Sequence, residues 1–225
     1  MVRCGSKTAT TSWRGDWSLV SRRTRRSGEP MKQLSIALVA ALSIAAGIWF
    51  GLQSGTSGDD KPGPYDKIGG EFTLESDTGK VSLSDFRGKV VPVYFGYTHC
   101  PDVCITSLNK VSFAMQALDE QERAQVQPIF ISVDPERDTP TKSSEYARYF
   151  HPSIIGLTGT PEQIAEIAKR YLVIYEKVAL EGSAMDYSVD HSSIIYVIGR
   201  DGKVASLVHH ADTAEALVEY LKEAM

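Results

Sequence analysis

Two cysteines, Cys100 and Cys104, are separated by three residues in the stretch Val93-Tyr94-Phe95-Gly96-Tyr97-Thr98-His99-Cys100-Pro101-Asp102-Val103-Cys104. An apolar, β-rich run ends at Gly96, and a short turn follows. The apolar positions after it (Ile105, Leu108, Val111, Met115, Leu118) fit a helical period better than an alternating one. The cysteines therefore fall where a buried strand passes into a helix. Four residues apart in the first turns, they would share one face. A helix N-terminus favours a thiolate through its free N–H groups and its dipole. Paired thiolates suit two chemistries, a thiol-disulfide couple or a soft-metal site, and the pair by itself leaves both open.

The elements that would position this pair follow from the rest of the chain. Phe72–Leu74 and Val81–Leu83 flank Ser76-Asp77-Thr78-Gly79 and read as a hairpin. Val90–Phe95 is the strand that leads to the cysteines. Pro92 within it removes a ladder donor, so a bulge or an unpaired position is expected there. The cysteine helix is expected to reach about Glu122. Val126–Val133 is a second buried strand, followed by a helix over Thr141–Phe150 and a short strand at Ile154–Leu157. Thr160-Pro161-Glu162 opens an amphipathic helix, with threonine as cap and proline at its first position. Leu172–Val178 is a strand. Ser193–Ile198 and Lys203–Val208 form a hairpin across Gly199-Arg200-Asp201-Gly202, and a last helix starts at Asp212. Strand–helix alternation in the first part implies parallel strands, and the terminal hairpin adds antiparallel ones. The expected fold class is α/β: a thioredoxin-like fold with a mixed central sheet.

Such a sheet brings the loop before the terminal hairpin toward the cysteine helix. That loop, Asp186-Tyr187-Ser188-Val189-Asp190-His191-Ser192, carries His191. Two thiolates and an imidazole form a three-coordinate soft site. Thiolates select Cu(I), and imidazole suits copper in either oxidation state. Structural zinc usually takes four ligands, and no fourth is evident. The plain alternative for His191 is a loop residue at a strand end. His99 either lowers the neighbouring thiol's pKa or serves as a spare ligand, or it simply faces solvent in the turn, the last reading being preferred. His209 and His210 would point to opposite sides of a strand end and read as structural. Asp134, in Asp134-Pro135-Glu136-Arg137-Asp138, either hydrogen-bonds a site residue from behind or belongs to an ordinary helix-entry loop.

The flanking segments place the domain. Residues 1–30 carry seven lysines and arginines against two acids and have no apolar period, which marks a disordered extension. Met31 is an alternative start. Residues 31–53 contain a 19-residue uncharged run, Leu34–Leu52, long enough for a retained membrane anchor rather than a cleaved signal. Trp49 and Phe50 suit an interface belt, and the positive charge before the run keeps that side cytoplasmic. Residues 54–64 form a Gly/Ser/Pro linker. The domain of residues 65–225 would face the periplasm from a single-pass inner-membrane anchor. Beyond residue 30 the chain holds 17 basic against 26 acidic residues, a poor balance for a nucleic-acid partner. Three cysteines in all, Cys4 among them, are too few for a disulfide scaffold.

Four stretches carry a resemblance. Tyr94–Cys104, Val133-Asp134-Pro135-Glu136-Arg137-Asp138-Thr139-Pro140, Gly156-Leu157-Thr158-Gly159-Thr160 and Asp186–Ser192 occur in that order and resemble the Sco/SenC family of membrane-anchored copper-binding proteins. The resemblance covers about residues 65–225. It implies Cys100, Cys104 and His191 as ligands for Cu(I) and Cu(II). It also implies a role in building the dinuclear copper centre of cytochrome c oxidase subunit II. Another periplasmic copper carrier or a thioredoxin-like reductant would be a further partner.

A thiol-disulfide oxidoreductase is the competing function, with Cys100 attacking and Cys104 resolving. Thioredoxin-type enzymes space the pair by two residues rather than three. A peroxidase of the peroxiredoxin kind ranks last, because Tyr97 stands where its signature has threonine.

Overall fold

The computed structural model describes residues 63–180, 182 and 186–225. The basic extension, the expected anchor and nearly all of the linker lie outside the described residues. Among the described residues, no helix is long and apolar enough to cross a membrane.

The unit of residues 61–225 is built on five strands. They are β3 (Val91–Gly96), β4 (Ile129–Ser132), β5 (Ile155–Leu157), β8 (Ile195–Ile198) and β9 (Val204–Val208), in the order β5-β4-β3-β8-β9. The β3–β4 and β4–β5 pairs are parallel, and the β3–β8 and β8–β9 pairs are antiparallel. Strands β3, β4 and β8 are buried along their whole length. That explains their near-continuous apolar runs: both faces of the sheet are covered. A separate hairpin, β1 (Thr73–Ser76) with β2 (Gly79–Ser82), turns at Gly79 with φ 122°, a left-handed value that glycine tolerates without strain. β1 touches the sheet end through the Glu75–Thr158 bridge.

Helices α1 (Val103–Ala117) and α3 (Pro140–Phe150) lie on one face, where Tyr94 and Phe130 point. Helix α5 (Ala214–Glu223) packs beside α1. α4 (Pro161–Tyr171) covers the other face, its Tyr171 meeting Tyr196 edge-on and Phe95 at a tilt. α3 and α4 start as their sequences dictate, with Thr139 and Thr160 accepting from the amides of Lys142 and Gln163 and proline following each cap. Gly156 lets α3 lie against β5: a Cβ there would come within 2.0 Å of the Ser143 carbonyl.

Three expectations change, and a fourth, at Pro92, is narrowed. Pro92 makes no bulge. It pairs with Val197 in β8, and toward β4 the bridge at Val90–Val126 resumes in the same register at Val93–Ile129. The β3–β4 ladder therefore skips Pro92, so on that side it is the unpaired position expected of a residue without a donor. The register shift lies instead between Val197 and Ile198. The cysteine helix ends at Ala117 because Leu118 is extended, and Asp119 starts a new helix, α2 (Glu120–Ala124), through a capping box with Glu122. Leu172 is a left-handed cap (φ 55°), so β6 (Tyr175–Ala179) begins three residues later than its apolar run suggests. Finally, the stretch read as a loop before the terminal hairpin contains a strand, β7 (Tyr187–His191), which pairs with β6 in a two-stranded ribbon of its own.

Candidate metal centre

The three residues singled out by type and spacing meet at the end of β3. The sulfurs of Cys100 and Cys104 and a ring nitrogen of His191 all lie within 4.8 Å of one another, and both thiols are free. Cys104 is in the first turn of α1 and wholly buried. Cys100 sits in the turn before the helix, not in it, with its amide bonded to the Tyr97 carbonyl at 3.3 Å. Gly96 makes room for this approach: a Cβ on it would stand 2.7 Å from Cys104 Sγ and 3.0 Å from the Tyr94 ring.

The two thiols are unlike. The Cys100 thiol is held down to about 3, first by a hydrogen bond from Cys104 and then by His191 and the backbone N–H groups of Asp102 and Cys104, all against its burial. These amides belong to the start of α1, so the helix terminus does stabilise a thiolate. Burial pushes the Cys104 thiol up, and the adjacent Cys100 thiolate adds to the effect. The surroundings thus favour the thiolate at Cys100 and the thiol at Cys104.

His191 ends β7. Its Nε2 is 3.2 Å from Cys104 Sγ, and its Nδ1 is 3.1 Å from the Ser192 carbonyl oxygen. A carbonyl can only accept, so Nδ1 carries a hydrogen toward Ser192 and Nε2 is the ring nitrogen turned to the sulfurs. Tyr97 and Tyr94 meet the imidazole edge-on, with ring centroids 5.7 and 6.1 Å away. A groove of about 400 Å³ runs between residues 100–103 and 188–191, opening the site to solvent. Two soft sulfurs and one imidazole, one thiol already ionised, fit a thiophilic ion with imidazole tolerance and lack the fourth donor of a closed zinc site.

The other candidates stay outside this group. His99 Nδ1 turns to Thr98 Oγ1 at 3.0 Å and to Asp138 at 3.6 Å. His209 and His210 are exposed after β9, where the His209 amide donates to Asp212 and the His210 carbonyl accepts from Lys110. Asp134 is fully buried but does not touch the thiols. It accepts from Arg137 Nε at 2.5 Å and from the Tyr187 hydroxyl at 2.8 Å.

The sequence reading missed Asp138. This buried carboxylate accepts from the Thr98 amide (2.8 Å), the Thr98 hydroxyl (2.6 Å) and Ser132 (2.5 Å). It ties the cysteine turn to the end of β4. Strand β7 was also missed, although Tyr187, Val189 and His191 alternate with Ser188 and Asp190 in the period of a strand.

The SCO1/SenC family profile matches residues 60–225. An SCO2-like protein of Rickettsia conorii is 38% identical over 157 residues, spanning 69% of this chain and 76% of its own length. The crystal structure of Arabidopsis thaliana ScoI with copper bound is 41% identical, with a TM-score of 0.64 over 69% of this chain and 97% of that one. BsSco, described with a disulfide switch as a member of the Sco family of cytochrome c oxidase assembly proteins, is 26% identical, with a TM-score of 0.55 over 70% and 93% of the two chains.

Proposed function

Because the chain belongs to the SCO1/SenC family, we propose that it binds one copper ion through Cys100, Cys104 and His191 and delivers it to the dinuclear copper centre of cytochrome c oxidase subunit II. The observation that carries this reading is the meeting of three ligand atoms within 4.8 Å at the mouth of a groove. The copper-bound relative and the Sco assembly proteins described above support the cargo and the target. Copper is the cargo, held as Cu(I) or Cu(II). Both sulfurs bind it as thiolates. When a partner disulfide takes two electrons from the pair and leaves as a dithiol, the Cys100–Cys104 disulfide that forms removes both sulfur ligands and releases the ion. Residues 31–53 anchor the domain in the inner membrane, facing the periplasm.

The inequality of the thiols favours a second activity on the same groups. The Cys100 thiolate attacks a partner disulfide and forms a mixed disulfide. Cys104 then displaces the partner, which leaves as a dithiol, and the Cys100–Cys104 disulfide takes up the two-electron oxidation. Resetting requires a dithiol reductant such as a thioredoxin-like protein. Reducing the cysteines of the oxidase subunit and filling them with copper are then successive steps of one task.

Copper titration of the reduced full chain tests the binding reading. One ion per chain is expected in the parent, with retention weakened about a hundredfold or more in His191→Ala. Full retention in that variant rules out the three-ligand site. In cells lacking the chain, oxidase activity is expected to fall; normal copper-centre assembly there contradicts the delivery role.

A further inference from the structure

His191 stands at the end of a strand outside the five-stranded sheet. The β6–β7 ribbon has no ladder to the five-stranded sheet, and an isolated two-stranded ribbon is marginal in water. Four of the five residues of β6 are exposed. The bonds near His191, Ser192 N–H to the Ile174 carbonyl and Ile174 N–H to Ser192 Oγ, stay within the ribbon and do not tie it to the sheet. Val189, two residues before His191, is buried in the core and its backbone hydrogen-bonds Tyr97, which holds the middle of β7; the start of the strand needs an anchor of its own.

Arg137, from the loop after β4, donates through its Nη1 to the Tyr187 carbonyl at 2.9 Å and through its Nε to buried Asp134 at 2.5 Å. Its guanidinium lies over the Tyr187 ring, 3.7 Å from the centroid, and 5.8 Å from the ring of Tyr97. Tyr187 returns its hydroxyl to Asp134 at 2.8 Å. Lys177 of β6 comes 4.8 Å from the Tyr187 ring and pairs with Glu136 at 2.6 Å. One planar cation therefore joins three parts: the end of the main sheet, the turn that leads to Cys100, and the first residue of the strand that ends in His191. Lysine could not make this bridge, since it lacks the fixed fork of donors.

We propose that Arg137, held by Asp134 and clasping Tyr187, is the positioning residue that sets His191 against the thiol pair. The inference rests on His191 being a copper ligand, and it adds the group that keeps the ligand in range. Outer-shell partners of ligating histidines typically change metal affinity by about 10–100-fold when removed, so Arg137→Met is expected to weaken Cu(I) retention by about that factor.

The test is a cycle on the reduced full chain: parent, Arg137→Met, His191→Ala and the double variant, in competition with a Cu(I) chelator. If Arg137 acts through His191, the double variant binds no more weakly than His191→Ala alone. Losses that multiply, or an Arg137→Met affinity equal to the parent's, overturn the proposal. A metal-free readout separates this from the copper reading. In ¹⁵N spectra of the apo chain, the His191 ring signals are expected to shift or broaden in Arg137→Met; unchanged signals overturn the positioning role. His191→Ala binding copper as the parent does counts against the ligand assignment alone. Tyr187→Phe, which removes only the hydroxyl bond to Asp134, gives a smaller shift in the same direction and serves if Arg137→Met does not fold. The absence of any shift in Tyr187→Phe as well as in Arg137→Met refutes the clasp.

Discussion

The two thiols and the histidine come from regions of opposite character. Cys100 and Cys104 are set by the five-stranded sheet and α1, where β3 is buried throughout and Gly96 brings the strand against Cys104. His191 rides on a two-stranded ribbon that is exposed along β6, meets the core at Val189 and is tied down at its far end by polar contacts. Half of the site is thus held by the core and half by a clasp.

Substitutions on the sheet side should cost stability, and those on the ribbon side should change the site alone. The largest effect is expected for Asp138→Ala, which removes the acceptor of the half-buried Thr98 amide and hydroxyl and of the buried Ser132 hydroxyl. About 3 kcal/mol of unfolding free energy should be lost in denaturant titration. Gly96→Ala follows at about 1–3 kcal/mol, because the added Cβ must displace Cys104 Sγ or the Tyr94 ring. His191→Ala should stay within about 1 kcal/mol of the parent. A loss as large as that of Asp138→Ala would erase the contrast between the regions.

The contrast between the thiols is sharpened by pH. With its pKa lowered to about 3, Cys100 remains a thiolate well into acid. Its alkylation rate in the apo, reduced chain should stay nearly flat between about pH 8 and about pH 5, where an unperturbed thiol slows about tenfold per unit. Cys104, raised by burial, should resist alkylation throughout. Mass mapping of the modified cysteine checks both statements, and equal labelling of the two contradicts them.

The sheet side was the legible half. Its strands are continuous apolar runs, its helices open on Thr-Pro caps, and the cysteine pair marks the junction. The ribbon side was harder because its signal is polar. Asp186-Tyr187-Ser188-Val189-Asp190-His191 has the composition of a loop, and only the alternation of Tyr187, Val189 and His191 betrays a strand. That His191 comes near the cysteines followed from topology. That Arg137, Asp134 and Tyr187 interlock did not, since residues about fifty positions apart meet through a fold whose β7 was not foreseen. Asp138 was hidden for a related reason: inside Asp-Pro-Glu-Arg-Asp, a buried acceptor and a surface charge look alike.

The coordination shell itself gives the most direct test. X-ray absorption on the Cu(I)-loaded full chain should show two sulfur neighbours and one nitrogen neighbour, with the nitrogen lost in His191→Ala. A sulfur-only shell in the parent, or a nitrogen that survives in His191→Ala, would contradict a site made by Cys100, Cys104 and His191.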